Sequence, residues 1–214
     1  MNKQVKKFTQ IIFNAVLSGI MISVGGAVYL LCDNKIMGSF LFSFGLFTIV
    51  QRGFALYTGK VGYIPENSPG YILETFITLV GNIIGTAFGA ILLQQTRFSG
   101  SLRDKAAASM EIKTGDSIAS QLILGAFCGM LMYLAVDNAK ECRKKNADIS
   151  LVFGVCLPVM IFIICGFNHS IADAFYMFTA GTFPDDLPYI FTIAAGNAAG
   201  GMMIPFIRKI SPAQ

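Results

Sequence analysis

The stretch that decides the fold is Ile149–Ala172, ISLVFGVCLPVMIFIICGFNHSIA, which contains no Asp, Glu, Lys or Arg. An apolar run of this length is typical of a membrane-spanning helix, because about 20 residues cross the hydrocarbon core. The only histidine of the chain, His169, lies inside this run. The Gly, Asn and Ser residues around it favour an interrupted helix. Because an ionisable side chain at this depth is costly, the run predicts a transport pathway centred on His169.

The composition extends this interpretation to the whole chain. Hydrophobic residues make up 54% of the 214 residues and charged residues only 13%, whereas a soluble domain carries about 25% charged residues. An integral membrane protein is therefore expected. No basic patch suggests a nucleic-acid partner. The five cysteines include no CxxC pair, so neither a metal site nor any other cofactor is expected.

Six apolar segments are long enough to span a membrane, and two of them are irregular. The six segments are residues 8–32, 36–59, 71–96, 117–136, 149–181 and 187–207. The second is interrupted by Arg52 and Gly53–Gly59, and the fifth by Gly166–Ser170. Non-helical backbone at membrane depth is tolerated only where protein or a water-lined cavity covers it. Both breaks are therefore expected to face the protein interior.

The distribution of Lys and Arg predicts the orientation of the spans, because short cytoplasmic loops carry the excess of positive charge. With the N-terminus inside, ten of these residues fall on the cytoplasmic side: Lys3, Lys6, Lys7, Lys60, Lys140, Arg143, Lys144, Lys145, Arg208 and Lys209. Arg52 falls within the membrane, and five fall outside: Lys35, Arg97, Arg103, Lys105 and Lys113. Both termini are therefore expected in the cytoplasm.

Two pairs of motifs indicate an internal repeat. The third span contains GNIIG at Gly81–Gly85, and the sixth contains GNAAG at Gly196–Gly200, 115 residues later. The dipeptide Gly-Phe opens the break at residue 53 and again at residue 166, 113 residues later. Three spans per half give the halves opposite topology, and interrupted helices in matching positions indicate a midplane binding site. We therefore expect one transmembrane domain, residues 1–214, with inverted repeats at about 8–96 and 117–207. Taken alone, these glycines are equally typical of close helix contacts.

The chemistry of the two breaks favours an anion. A helix that begins in mid-membrane directs unpaired N–H groups and a partial positive charge inward, and such ends attract anions. Asn168 or Ser170 is expected to cap the half-helix after the fifth-span break, and Thr58 offers a hydroxyl in the second. His169 adds a group that donates a hydrogen bond or a proton. The plainer interpretations are a satisfied packing histidine and a threonine that caps its own loop.

Arg52 and Asp173 flank the two breaks and are predicted to form an ion pair. Asp173 lies one helical turn after His169, so these two side chains share a face. Unpaired charges in a bilayer are costly, and the pseudo-twofold relation is expected to place both residues in the outer half of the membrane. The alternative is that Arg52 extends toward the membrane surface while Asp173 caps its helix locally.

Three motifs in this frame resemble the formate/nitrite transporter family. Gly166–Ala172 resembles the family's histidine motif, Leu56–Gly59 its loop motif, and Gly196-Asn197 its sixth-span motif. The resemblance implies an all-α membrane protein with six transmembrane helices, an aquaporin-like inverted 3+3 repeat and broken second and fifth helices. It also implies a homopentamer in the inner membrane of a bacterium, in which each protomer passes formate, nitrite, hydrosulfide or short carboxylates.

The resemblance also assigns roles to individual residues. His169 resembles the central histidine, Thr58 its loop partner, and Lys113 a basic residue at the outer mouth. Asp173 replaces the asparagine that usually follows the histidine by four residues. The predicted pore residues are His169, Thr58, Asn168, Asn197 and Lys113. The predicted apolar constrictions are Leu56, Tyr57, Phe42, Leu46 and Phe162.

The leading hypothesis is a channel or proton-coupled carrier for small monovalent anions, formate or nitrite foremost, with the proton exchanged at His169. A facilitator for neutral solutes such as water, ammonia or hydrogen sulfide is the alternative, since broken helices suit both. Lys113, Thr58 and His169 together favour anions. A membrane enzyme is disfavoured because the chain has no catalytic carboxylate pair, HExxH or nucleophile motif.

Overall fold

The computed structural model describes residues 3–211, with side chains from residue 5 onward, as an all-helical membrane fold. Residues 1–2 and 212–214 of the predicted domain lie outside this described part. A 3₁₀ segment, Val61–Glu66, directly follows the short helix at Tyr57–Lys60. The helices are α1 (Lys3–Leu31), α2 (Lys35–Arg52), α3 (Tyr57–Lys60), α4 (Gly70–Gln94), α5 (Ser99–Thr114), α6 (Ile118–Lys144), α7 (Asp148–Cys165), α8 (Ser170–Ala180) and α9 (Leu187–Ile210).

The structure confirms the six predicted spans. Helices α1, α4, α6, α7 and α9 are each long and apolar enough to cross a membrane. The remaining span combines α2 with α3 and the 3₁₀ segment, which are bent by 57° at the break. The short helix α8 continues the span that α7 begins.

The beginning of α1, where Lys7 pairs with Glu74 of α4, and the last turn of α9 lie at one face of this bundle, which we call the termini face. There Lys209, near the end of α9, donates a hydrogen bond to the carbonyl oxygen of Pro65 at 3.3 Å. At the opposite face Lys105 of α5 pairs with Asp33, between α1 and α2, at 3.5 Å. Because α2 starts at the opposite face and α7 starts at the termini face, the two broken spans enter the bundle from opposite sides.

Both predicted helix breaks are confirmed, and they share one backbone geometry. Gly53 caps the end of α2 and Gly166 caps the end of α7, with φ angles of 67° and 73°. This left-handed conformation suits glycine, which lacks a Cβ. The N–H of the next residue, Phe54 or Phe167, donates at 2.9 Å to the carbonyl oxygen five residues earlier in the helix. The same cap at positions 113 residues apart supports the inverted repeat.

The glycines of the two GNxxG motifs lie at close helix contacts. Gly85 of α4 packs on α1, where an added Cβ would overlap the carbonyl oxygen of Val16. Gly200 of α9 packs on α6 in the same way, against the carbonyl oxygen of Ala126. These contacts let each pair of backbones approach closely, as small residues do in membrane bundles.

Replacing Gly200 with leucine is expected to disrupt the α6–α9 contact. Overpacking typically costs about 1–3 kcal/mol, and we expect at least the upper figure because backbone atoms rather than a flexible side chain are in the way. Gly100, on exposed α5, offers a control, since an added Cβ there meets no atom within 4 Å. Thermal unfolding in detergent should show a large loss for Gly200→Leu and none for Gly100→Ala. Equal midpoints would contradict the close approach.

The connection between the third and fourth spans contains α5, a helix that the apolar segments do not reveal. Its buried residues Leu102, Ala106 and Met110 recur at intervals of four and belong to the same apolar cluster as α8. The remainder of the helix is largely exposed. Because α5 packs on α8, it carries Lys113 of its last turn to the beginning of α8, just after the break in the fifth span.

Candidate functional site: a waist between two cavities

At each face of the described bundle a cavity leads toward the two breaks. The cavity at the termini face has a volume of about 210 Å³ and is lined by Leu46 and Leu56 together with three cationic residues, Lys60, Lys140 and Arg143. The cavity at the opposite face has a volume of about 270 Å³. Its lining includes Phe162, Ala172, Lys113 and Asp173.

Thr58 and His169 meet between these cavities. Thr58 lies two residues after Leu56, which lines the first cavity, and the His169 ring stacks on Phe162, which lines the second, at 5.5 Å between centroids. The Oγ1 atom of Thr58 is 3.0 Å from Nε2 of His169. Both side chains are buried, with exposed fractions of 0% and 2%. The two breaks thus place a hydrogen-bonded pair at the waist.

The hydrogen bonds of His169 decide which ring nitrogen carries the proton. His169 is the N-cap of α8, and its Nδ1 accepts the backbone N–H of Ala172 at 3.1 Å. Because Nδ1 accepts, the proton of a neutral ring lies on Nε2 and is donated to Thr58 Oγ1. The hydroxyl hydrogen of Thr58 then stays available for another acceptor.

The prediction that Asn168 or Ser170 caps α8 is wrong, because His169 occupies the cap position. Ser170 instead donates its N–H to Asn197 Oδ1 at 3.0 Å, and Asn168 Oδ1 accepts from Lys113 Nζ at 2.8 Å. The N–H groups of Ser170 and Ala172 are therefore not available to an anion. Among the described residues, the buried Nδ2 of Asn168 and Oγ of Ser170 have no hydrogen-bond partner.

Two asparagines hold the broken spans by equivalent hydrogen bonds. Asn197 Oδ1 accepts from Ser170, while its Nδ2 donates to the carbonyl oxygens of Asn168 and Gly125 at 2.9 and 2.8 Å. In the other half, Asn82 Oδ1 accepts the N–H of Tyr57 at 2.8 Å. Its Nδ2 donates at 2.8 Å to two carbonyl oxygens, those of Ala15 and Ala55.

Asn197, one of the predicted pore residues, thus lies beside the break in the fifth span and binds its backbone, but it does not line either cavity. Asn82 has the equivalent position, although it is not among the predicted pore residues. The matching GNxxG motifs carried the signal for it, since each motif places one asparagine after its first glycine.

Replacing Asn197 with alanine is expected to destabilise the fifth-span break. The substitution leaves the buried N–H of Ser170 and the carbonyl oxygen of Asn168 without this partner, and each such group costs about 1–3 kcal/mol. Asn82→Ala should have a similar effect on the second span. Exposed Asn138 of α6 supplies the control, Asn138→Ala. Thermal unfolding in detergent measures all three, and wild-type midpoints for Asn197→Ala and Asn82→Ala would contradict the role of these bonds.

Apolar side chains flank the waist on both sides. Phe42 meets Phe162 edge to face, with 5.8 Å between ring centroids. Leu46 and Leu56 are buried on the side of the termini face. Tyr57 donates its hydroxyl to the carbonyl oxygen of Ala194 at 3.0 Å, so this group is used in a contact with α9. The prediction that Tyr57 contributes to an apolar constriction stays a prediction.

The predicted pairing of Arg52 with Asp173 is wrong. Asp173 Oδ1 lies 3.1 Å from Lys113 Nζ, and Asp173 Oδ2 accepts from the Tyr189 hydroxyl at 2.9 Å. Arg52 is exposed at the other end of the bundle. The neighbouring Gln51 accepts a hydrogen bond there from Arg143, in the last turn of α6, at 3.2 Å.

The physical reason lies in the inverted repeat itself. α2 runs toward the termini face, so its last residue, Arg52, approaches that face. α8 runs away from the waist toward the opposite face and takes Asp173 with it. At the predicted outer mouth it is Lys113 that pairs with Asp173, and the same ammonium group donates a hydrogen bond to Asn168.

The sequence and the fold are similar to those of known membrane transport proteins. The family model for the formate/nitrite transporter matches residues 1–208. Formate channel FocB of Escherichia coli strain K12 is 23% identical over 183 residues, which covers 75% of this chain and 63% of that protein. The chain thus spans less than two thirds of the length of this relative in the alignment.

Two solved structures share the fold. A pentameric formate channel with formate bound superposes with a TM-score of 0.78 at 22% identity, over 96% of this chain and 97% of that one. An FNT family ion channel has the same TM-score at 18% identity, over 100% and 92% of the two chains. Six spans with two broken helices, and a family match across almost the whole sequence, show that this chain belongs to the formate/nitrite transporter family.

Proposed function

We propose that the protein passes small monovalent anions, formate or nitrite foremost, through the waist between its two cavities. The observation that carries this proposal is the buried Thr58–His169 pair, a hydrogen-bonding unit enclosed by apolar side chains between two mouths that each contain cations. Formate channels among the similar proteins support this substrate class.

The proposed path begins at a basic mouth. At the termini face Arg143 donates to the carbonyl oxygen of Val50 at 2.6 Å, while the Lys140 ammonium lies 3.2 Å from the centre of the Tyr63 ring. Lys60 lines the same cavity. These positive groups raise the local concentration of anions. The apolar side chains beyond them oppose a bare charge, because desolvation of an ion is costly.

At the waist the substrate exchanges water for two protein donors. An anion that reaches Thr58 accepts its free hydroxyl hydrogen, and an anion that displaces this hydroxyl accepts from Nε2 of His169. Hydrogen bonds to a charged partner are about twice as strong as those between neutral groups. Since Nδ1 accepts from Ala172, a second proton on the ring would break the helix cap. Proton exchange at His169 stays a prediction, and hydrogen-bond donation is the role that the contacts favour.

The distribution of charge and the fold also suggest a membrane location, an orientation and an oligomeric state. The described cations at the termini face outnumber those at the other face, so we propose that both termini are cytoplasmic in a bacterial inner membrane. We also propose a single domain that works as two inverted halves, about 8–96 and 117–207, and a homopentamer. The pentameric state of a similar channel supports the last point, and native mass spectrometry in detergent tests it.

Facilitation of neutral solutes is the less favoured alternative. Water and ammonia need no positive charge at either mouth, whereas Lys60, Lys140 and Arg143 line one cavity and Lys113 the other. A neutral-solute pore therefore gives these cations no role in the path of the substrate.

Uptake into liposomes separates these two functions. The purified protein should admit formate and nitrite faster than protein-free liposomes do, and should leave the osmotic water permeability unchanged. Sulfate, a divalent anion of larger size, serves as the control and should stay outside. Raised water permeability without formate or nitrite uptake would contradict the proposal.

A further inference from the structure

The cavity at the termini face contains a surplus of positive charge. Lys60, Lys140 and Arg143 line it, and none of these three forms an ion pair with another described residue. Three further cations of this face each have a carboxylate partner: Lys7 pairs with Glu74, Lys144 with Glu141, and Arg208 with Asp137. The unneutralised charge is therefore concentrated where an anion can enter.

The carboxylates that act on the two lysines of this cavity do not line it. They are Glu74, Asp137 and Glu66. Glu74 and Asp137 are the partners of other cations, and Glu66 is exposed to solvent. An anion in the cavity thus does not have to displace a carboxylate from Lys60 or Lys140.

The two lysines are held by aromatic rings. The Lys140 ammonium lies 3.2 Å from the centre of the Tyr63 ring, and the Lys60 ammonium lies 5.0 Å from the centre of the Tyr71 ring. The attraction between a cation and a ring face positions the ammonium group without using a hydrogen-bond acceptor. The N–H groups that point away from each ring therefore stay available to an anion.

Arg143 is anchored in a way that also leaves donors available. Its Nη2 donates to the carbonyl oxygen of Val50 at 2.6 Å and to Gln51 Oε1 at 3.2 Å. A guanidinium group has five N–H donors, so the donors on Nη1 and Nε have no partner among the described residues. The anchored guanidinium can thus donate to an oxyanion in the cavity.

The charge and the size of the cavity favour a small divalent oxyanion. Its attraction to each cation is twice that of a monovalent anion at the same distance. The volume of about 210 Å³ suits one tetrahedral oxyanion, and it is smaller than the ~300–1,000 Å³ of pockets that enclose larger organic ligands. Charged N–H donors of the kind present here form strong hydrogen bonds with phosphate oxygens.

We propose that the termini-face cavity binds one inorganic phosphate dianion, and that the bound phosphate closes the path to the substrate. Lys60, Lys140 and Arg143 donate to the phosphate oxygens. Buried Leu46 and Leu56 line the same cavity, and they oppose further movement of a divalent ion because its desolvation is costly. Phosphate therefore occupies the mouth without crossing the waist.

The closing effect rests on the proposed function, because it assigns this cavity to the substrate path. Phosphate binding itself depends only on the arrangement of the three cations. The two parts are therefore tested by separate measurements.

Calorimetric titration of the full-length protein in detergent with inorganic phosphate, at constant ionic strength, tests the site. Lys140→Gln should weaken phosphate binding about tenfold, as expected for one lost hydrogen bond to a charged group. Lys140→Arg keeps the charge and should retain most of the affinity. Lys144→Gln is the matched control, because Lys144 lies one turn later on the same helix but is 70% exposed and pairs with Glu141.

Lys140→Gln is expected to fold, because Lys140 is exposed and its side chain contacts the Tyr63 ring rather than a buried polar group. No phosphate binding by the wild-type protein would overturn the proposal. So would equal affinities of Lys140→Gln and the wild type, or an equal loss in Lys144→Gln, since a general effect of surface charge would then explain the binding.

Formate uptake by phosphatidylcholine liposomes tests the closing effect. Phosphate replaces chloride on both sides of the membrane, at equal ionic strength and in a common excess of buffer, so that both orientations of the protein are exposed to it. At a phosphate concentration ten times the Kd, uptake by the wild type should fall about tenfold by mass action, and uptake by Lys140→Gln only about twofold. Uptake that phosphate does not slow overturns the closing effect. No formate uptake with or without phosphate, together with calorimetric binding, contradicts the proposed function and supports the phosphate site.

Discussion

Replacing Asp173 with alanine is expected to remove most of the folded protein. The substitution leaves the Lys113 ammonium in a cavity where its carboxylate partner was 3.1 Å away, and it leaves the Tyr189 hydroxyl without its acceptor. Loss of one partner of a buried pair typically costs about 3–5 kcal/mol, because the remaining charge is uncompensated. The yield of monodisperse protein after detergent extraction, together with the thermal midpoint, measures this effect.

The double variant Lys113→Met with Asp173→Asn separates the charge from the contacts. It removes both charges, and the asparagine still offers an oxygen to Tyr189, so folding should largely recover. Asp33→Ala removes a carboxylate that also pairs with a lysine but is fully exposed, and it should change nothing. If Asp173→Ala and the double variant are equally unstable, the buried charge is not the cause of the loss.

Replacing His169 with asparagine is expected to reduce formate uptake strongly while the fold is retained. Asparagine is among the preferred N-cap residues, so its side chain can still accept the N–H of Ala172. It is too short to keep the contact of Nε2 with Thr58. A hydrogen bond to a charged group contributes about 1.5–3 kcal/mol, which corresponds to a fall in rate of about 10- to 100-fold.

His169→Phe is the informative comparison. It removes the waist donor and also the helix cap, so stability should fall by about 0.5–2 kcal/mol in addition to the loss of uptake. Thermal unfolding and formate uptake on the same preparations distinguish the two functions of the ring. Wild-type uptake by folded His169→Asn would show that the waist donor is dispensable.

The broken spans could be predicted from sequence because the signals are local and repeated. Gly53 and Gly166 each precede a phenylalanine, and both adopt the left-handed conformation that ends a helix. A lone histidine in an uncharged stretch located the waist. Thr58 could be placed opposite His169 because the repeat sets the two breaks against each other.

The contacts around the waist could not be predicted in the same way, because they depend on tertiary structure. Lys113 reaches Asp173 only because α5 is a helix that packs on α8, and the apolar-segment pattern does not show that helix. Cap preferences favour asparagine and serine over histidine, yet His169 is the residue that accepts from Ala172. The Arg52 prediction failed because it ignored the opposite directions of the two broken spans.

The central claim is that Thr58 and His169 act on the anion as one hydrogen-bonded unit. The most direct test compares initial formate uptake by liposomes that contain the wild-type protein, Thr58→Val, His169→Asn or the double variant, each confirmed as folded. Each single variant should be at least about tenfold slower, and the double variant should be no slower than the slower single one, because coupled residues are not additive. Uptake at the wild-type rate by both single variants would contradict the claim.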